Sequence, residues 1–254
     1  MEFLMYLLIG CGVGCIGAML GIGGGVVIVP LLTFLFGFSP QMAIGTSMFV
    51  VLLNAMSGTI GYLRAKKVCW DAAWKFALAT VPGAFLGSYA SEYLKGKIFF
   101  LVFGIFFFCF AINMYRKASK KAAESTSEAV PEHYNWQFGV GCSVIVGFIA
   151  SILGIGGGVI HVPMMTYILH FPVKVAIATS TAILAVSAVS GVISHATLGH
   201  IVWVTALGLG LGASIGAQIG VRVAGKTKSS LLMKATSVLV MLTAIKFLMT
   251  GFGF

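Results

Sequence analysis

The sequence predicts an all-α integral membrane protein, built from about ten hydrophobic helical segments as two inverted five-segment repeats, with broken or re-entrant helices at two Gly-rich motifs. Three observations carry that expectation. Of the 254 residues, 59% are apolar and only 9% charged, too few charges to cover the surface of a soluble fold of this size. The apolar runs are long and unalternated, which argues against a transmembrane barrel. The chain also repeats itself at an offset of 133 without a gap: LGIGGGVVIVPLLTFLFGFSPQMAIGTS from Leu20 returns as LGIGGGVIHVPMMTYILHFPVKVAIATS from Leu153.

Segment 3–20 is apolar with no basic stretch before it, so it reads as a first helix rather than a cleaved signal. Segment 23–37 opens in the Gly-rich motif and contains Pro30. Segment 42–63 carries Thr46 and Ser47, then Asn54 and Ser57 on one helical stripe. Segment 72–91 carries small residues at i, i+4 and i+8, Ala79, Gly83 and Gly87, a ridge that lets two backbones approach. Segment 97–115 is Phe-rich and closes the first repeat, residues 1–115. Residues 116–135 hold four basic and three acidic residues and a proline, and read as a solvated cytoplasmic linker.

The second repeat, 136–254, runs through segments 137–153, 156–170, 175–196, 201–221 and 230–250. It returns the Gly-rich motif, Thr179 and Ser180, Ser187 and Ser190, and the ridge Gly212, Gly216 and Gly220. Five segments is an odd number, so the second copy enters the membrane in the opposite sense. Charge agrees with this. With Arg64, Lys66 and Lys67 in the cytoplasm, alternation puts eleven basic loop residues inside, leaves only Lys95 and Lys97 outside, and places both termini outside. Sidedness is the same if the first two segments of each repeat form a re-entrant hairpin. The net charge of +10 is then a topology signal rather than a nucleic-acid footprint. The five cysteines lie mostly in apolar runs and form no disulfide framework. Cys11 and Cys15 share a helical face, where small apolar packing is favoured over metal binding.

Four glycines within five positions (Gly21 and Gly23–Gly25, and again Gly154 and Gly156–Gly158) cannot sustain a regular helix. The alternative is close helix packing alone. Two copies, each followed by a proline (Pro30, Pro163), favour a break lining a cavity, with helix N-termini offering amides to an anion. The hydroxyls of Thr46, Ser47, Thr179 and Ser180 can bind an oxyanion or satisfy a backbone group. His161 stands where the first copy has Ile28, and is a candidate for proton coupling or a neutral, hydrogen-bonded side chain. His195 and His200 fall near a membrane interface. No catalytic constellation, metal spacing or cofactor motif is present in the sequence, and none is expected to act.

The paired LGIGGG and AIGTS/AIATS stretches, Ser57–Gly58 with Ser190–Gly191, and Trp70 with Trp203 resemble the sulfite exporter TauE/SafE family, within the toluene sulfonate uptake permease superfamily. The resemblance spans essentially the whole chain. It implies a transporter of the bacterial or archaeal plasma membrane for a small sulfur oxyanion such as sulfite or an organosulfonate. One departure stands out: Tyr62 occupies the place of His195. The expected substrate-binding residues are Gly23, Gly24, Gly25, Thr46, Ser47, Asn54 and Ser57 with Gly156, Gly157, Gly158, Thr179, Ser180, Ser187 and Ser190. The partners expected are the anion and membrane lipid, with a homodimer compatible and nucleic acid excluded. An anion channel is the first alternative to a carrier. An intramembrane enzyme is the second, and lacks a nucleophile–base pair.

Overall fold

The computed structural model describes residues 2–93, 96–121, 131 and 134–253. These form ten helices: α1 (Glu2–Leu20), α2 (Gly25–Phe34), α3 (Pro40–Arg64), α4 (Trp70–Ala90), α5 (Gly96–Lys121), α6 (Trp136–Leu153), α7 (Gly158–Tyr167), α8 (Val173–Thr197), α9 (Trp203–Lys226) and α10 (Ser229–Phe252). No strand occurs among the described residues. Each helix coincides with one predicted segment. The clearest difference is α5, which continues to Lys121, six residues into the stretch read as linker. Most of the remainder of that stretch lies outside the described residues.

Six of these helices (α1, α3, α6, α8, α9 and α10) are long and apolar enough to cross a membrane. Together with the composition, they make this a multi-pass membrane protein. By contrast α2 and α7 have ten residues each. At about 1.5 Å per residue they reach about 15 Å, half of a hydrocarbon core of about 30 Å.

Local chemistry explains the boundaries. Ser39 caps α3 by accepting a hydrogen bond from the Met42 amide, and Pro40 occupies its first turn. Asn135 caps α6 through the Phe138 amide. Both short helices begin after a glycine in the left-handed region, Gly24 at φ 84° and Gly157 at φ 79°, where an L side chain is strained.

The helices pack mainly between halves, and the contacts are reciprocal. Helix α1 lies on α9 as α6 lies on α4, α3 lies on α9 as α8 lies on α4, and α3 meets α8 while α5 meets α10. The small-residue ridges make this possible. A side chain at Gly83 or Gly87 would strike the α6 backbone at Val144 or Phe148. One at Gly212, Gly216 or Gly220 would strike the α1 backbone at Leu7, Cys11 or Cys15. The face bearing Cys11 and Cys15 is therefore the seat of a ridge, and the expected docking of one half on the other is what these glycines do. Helix α8 is the most buried of the membrane-length helices, followed by α3 and α9.

Candidate functional site

Each Gly-rich motif turns the chain back on itself. Gly24 lies beside Val13 of α1, and beyond α2 the Phe36 ring lies 5.5 Å from that of Tyr6, near the start of α1. In the second half Gly157 lies beside Val146 and Ala150 of α6, and the Phe171 ring is 5.2 Å from Tyr134, just before α6. Thus α1–α2 and α6–α7 are hairpins whose glycine tips point into the protein. Gly21, Gly23 and Gly24, like Gly154, Gly156 and Gly157, all have positive φ, which is why the turn needs glycine at these positions.

The two tips meet. A Cβ on Gly25 would lie 2.6 Å from both the Gly154 carbonyl oxygen and the Ile155 Cα, and one on Gly158 would strike Gly21 and Ile22 in the same way. Gly23 and Gly156 both face Val51 of α3 and Leu184 of α8, themselves an equivalent pair. Gly25 and Val26, and likewise Gly158 and Val159, have no carbonyl partner for their amides among the described residues. Such amides at helix starts carry partial positive charge in a site sealed from water.

The hydroxyls stitch the halves together. Ser47 Oγ donates to the Gly154 carbonyl, and Ser180 Oγ donates to Gly21 O at 3.1 Å. Thr46 Oγ1 accepts from the Val202 amide at 3.1 Å, and Thr179 Oγ1 from the Cys69 amide at 3.0 Å. Ser47 and Ser180 therefore lie at the tips, whereas Thr46 and Thr179 each tie a helix to the loop before α9 or α4. Asn54, fully buried, gives Nδ2 to Gly14 O at 2.9 Å and Ala213 O at 3.3 Å, and its Oδ1 is left without a partner. Ser57 Oγ donates to Ser214 O at 2.6 Å and accepts from Gln218 Nε2 at 2.9 Å. Ser187 and Ser190 return their hydroxyls to their own helix, at Leu184 O and Ser187 O. Asn54 and Ser57 thus face α9, apart from the hydroxyls at the tips.

His161 is fully enclosed in α7, one turn past the second tip. Its Nε2 lies 3.2 Å from Ser143 Oγ, whose own hydrogen goes to Gly139 O. The imidazole therefore donates through Nε2 and leaves Nδ1 as a bare acceptor, unpartnered and 3.5 Å from where a Gly157 Cβ would stand.

A second histidine is also enclosed by protein. His195 stands in the last turn of α8, as the sequence places it, and is wholly buried there by protein. Its Nε2 is 3.3 Å from Ser151 O, and its Nδ1 is 3.3 Å from His200 Nδ1. Ser151 Oγ in turn pairs with Ser88 Oγ at 2.7 Å. Tyr62, the equivalent of His195, donates its hydroxyl to Ala18 O at 2.8 Å, and Ala18 is the equivalent of Ser151. The two unlike side chains thus latch the same carbonyl near the end of α1 and α6. Neither latch was foreseen. The offset of 133 pairs both the donors and the acceptors, but it does not say that they touch.

Comparison with known proteins gives the family. The family model described as "Sulfite exporter TauE/SafE" matches residues 6–247. The chain is 34% identical over 232 residues to the probable membrane transporter protein YunE of Bacillus subtilis, covering 84% of this chain and 85% of that one. It is 30% identical over 207 residues to a probable membrane transporter protein of Methanocaldococcus jannaschii, covering 77% and 74%. A probable membrane transporter protein of Xylella fastidiosa is 32% identical over 177 residues, covering 68% and 66%. No solved structure matches the chain. From the matched length and these relatives, the chain belongs to the sulfite exporter TauE/SafE family and is a membrane transporter of that type rather than an enzyme.

Proposed function

We propose that the protein moves a small sulfur-containing anion, sulfite or an organosulfonate or a related oxyanion, across the plasma membrane by alternating access. The observation that carries this reading is the meeting of two glycine tips, each opening a half-length helix with unpaired amides, inside the protein. Helix N-termini suit an anion that must also be released. A buried arginine would hold it more tightly and cost several kcal/mol to desolvate. The residues assigned to the anion are Gly23–Gly25 and Gly156–Gly158 with Ser47 and Ser180. Thr46 and Thr179 transmit movement from the tips to the loops, and Asn54, Ser57, Ser187 and Ser190 line the stripe beside them.

The reciprocal contacts support two repeats of opposite sense, related by a pseudo-two-fold axis in the membrane plane. Lys174 Nζ bonds Gly225 O at 2.9 Å, bringing the start of α8 to the end of α9. The end of α3 shares a cavity with them, through Tyr62 and, just beyond the helix, Lys67. This is the basic, cytoplasmic end, and both termini lie outside. Rocking one repeat against the other would part the tips towards one face at a time. His161, with its bare Nδ1, is the group assigned to proton coupling.

The test is a transport screen in proteoliposomes. It compares sulfite, sulfate, thiosulfate, sulfoacetate and taurine, with and without a pH gradient. Saturable uptake with counterflow of one of these anions is expected. Single-channel currents without counterflow would favour a pore, and no movement of any of the five would refute the reading.

A further inference from the structure

Two cavities open at opposite ends of the bundle. One, of about 190 Å3, is lined by Tyr62, Lys67, Lys174, Ile177, Val221 and Gly225, among others. The other, an open groove of about 540 Å3, is lined by Ser39, Gln41, Met42, Glu92, Gly96 and His200. Three positions line both, at the same repeat offset of 133: Lys67 with His200, Lys174 with Gln41, and Gly225 with Glu92. Both cavities stand over a glycine break. Ile177, in the wall of the first, packs its backbone on Gly21, and Ile44, its equivalent one turn beyond Gln41, packs on Gly154. The two are therefore one site in two copies, but their charge differs. The first holds two lysines, and the second a histidine and a glutamate.

Resting on the anion-transport reading, we infer that these cavities are the two gateway sites of the pathway. The Lys67–Lys174 gateway holds the anion at any physiological pH, and the His200 gateway holds it only when a proton has joined the His195–His200 pair.

The hydrogen bonding makes the second gateway conditional. Ser151 O can only accept, so His195 Nε2 carries a hydrogen and a neutral His195 offers a bare Nδ1. That Nδ1 accepts from His200 Nδ1, and the pair is then complete and uncharged. Adding one proton leaves a cation in the wall of the groove. Among the described residues, the titratable groups against His200 are His195 on α8 and Glu92 beyond α4. Gln41 and Ser39 of α3 and Gly96 of α5 bring no charge. Burial lowers the pKa of His200 below its ordinary value, and Glu92 partly opposes this. His200 is therefore neutral at neutral pH, when Glu92 alone charges the groove, and as the outside acidifies the proton on the histidine pair offsets that carboxylate and places a donor cation at the mouth. At neutral pH the anion is captured at the lysine end and released at the histidine end. In acid, proton and anion are taken up together from the histidine end.

The experiment measures half-saturating concentrations of labelled sulfite from each face of proteoliposomes containing the full chain in one orientation. Lys67→Gln and Lys174→Gln should each raise the value at the lysine face by about three- to tenfold and leave the other face unchanged. Lys67→Arg should restore it. Acidifying the histidine face from about pH 7.5 to about pH 5.5 should lower its value in the wild type but not in His200→Gln. The titration of sulfite itself is common to both proteins and cancels in their ratio. His200→Lys should give tight capture at both pH values. Wild-type kinetics in Lys67→Gln from both faces, or a full pH response in His200→Gln, would overturn the inference. A wild-type protein that moves no sulfite would overturn the transport of sulfite itself, and the gateway assignment with it.

Discussion

Gly25→Ala inserts one methyl group between the two hairpin tips. Its Cβ would stand 2.6 Å from the Gly154 oxygen and the Ile155 Cα. Ordinary contact between heavy atoms begins near about 3.5 Å, so the tips must part by about 0.9 Å. Both obstructing atoms belong to backbone and cannot rotate away. Overpacking of this kind costs about 1–3 kcal/mol, and here it opposes the gain of about 0.5–1 kcal/mol that Ala brings over Gly in a helix. Gly158→Ala makes the reciprocal intrusion on Gly21 and Ile22. Gly12→Ala and Gly141→Ala are the controls, since nothing stands within 4 Å of a Cβ at either position. The measurements are thermal unfolding in detergent and anion uptake in proteoliposomes from the same preparations. Gly25→Ala and Gly158→Ala should lose most transport and unfold several degrees lower, at about 2–4 °C per kcal/mol for a chain of this size. Both controls should match the wild type or exceed its stability. Normal transport and unchanged unfolding in Gly25→Ala would refute the docking of the tips.

Thr46→Ala and Thr179→Ala each strand a backbone amide, of Val202 or Cys69, and should lower stability by about 1–3 kcal/mol, with Thr→Ser restoring most of it in the same unfolding assay. His161→Ile installs the residue of the first repeat and removes the unpartnered Nδ1. The variant should insert and unfold normally but, with the His200 face held at one pH, lose the drive that a pH gradient gives to uptake, and a retained drive under that condition would take His161 out of the coupling. A cysteine at Ser125, in the charged stretch between repeats, should react with an impermeant reagent only from the cytoplasmic face; labelling from outside would reverse the assigned topology.

The placement of the apolar segments was legible in the sequence because hydropathy, glycine and proline act locally, although their ends moved, most of all in α5. Each of the ten helices lies where an apolar run does, and each break falls where several glycines adopt positive φ. The duplication was legible too, since an ungapped offset needs no structure to be seen. What the tertiary structure decided is which groups meet. Whether Leu20–Gly25 continues a crossing or reverses it depends on Val13 and Tyr6 receiving Gly24 and Phe36, contacts between residues 11 and 30 positions apart. Sequence placed Ser47 and Ser180 beside the glycine motifs of their own repeats. Only packing shows that each reaches the glycine carbonyl of the other. The sequence placed His195 near the end of an apolar run, where it is. That it is also enclosed by protein depends on the helices packed against α8, a fact carried by no window of its own sequence. A repeat offset tells which residues are equivalent, but contact across the repeat depends on how two copies face each other, and that is set by the shape of both surfaces at once.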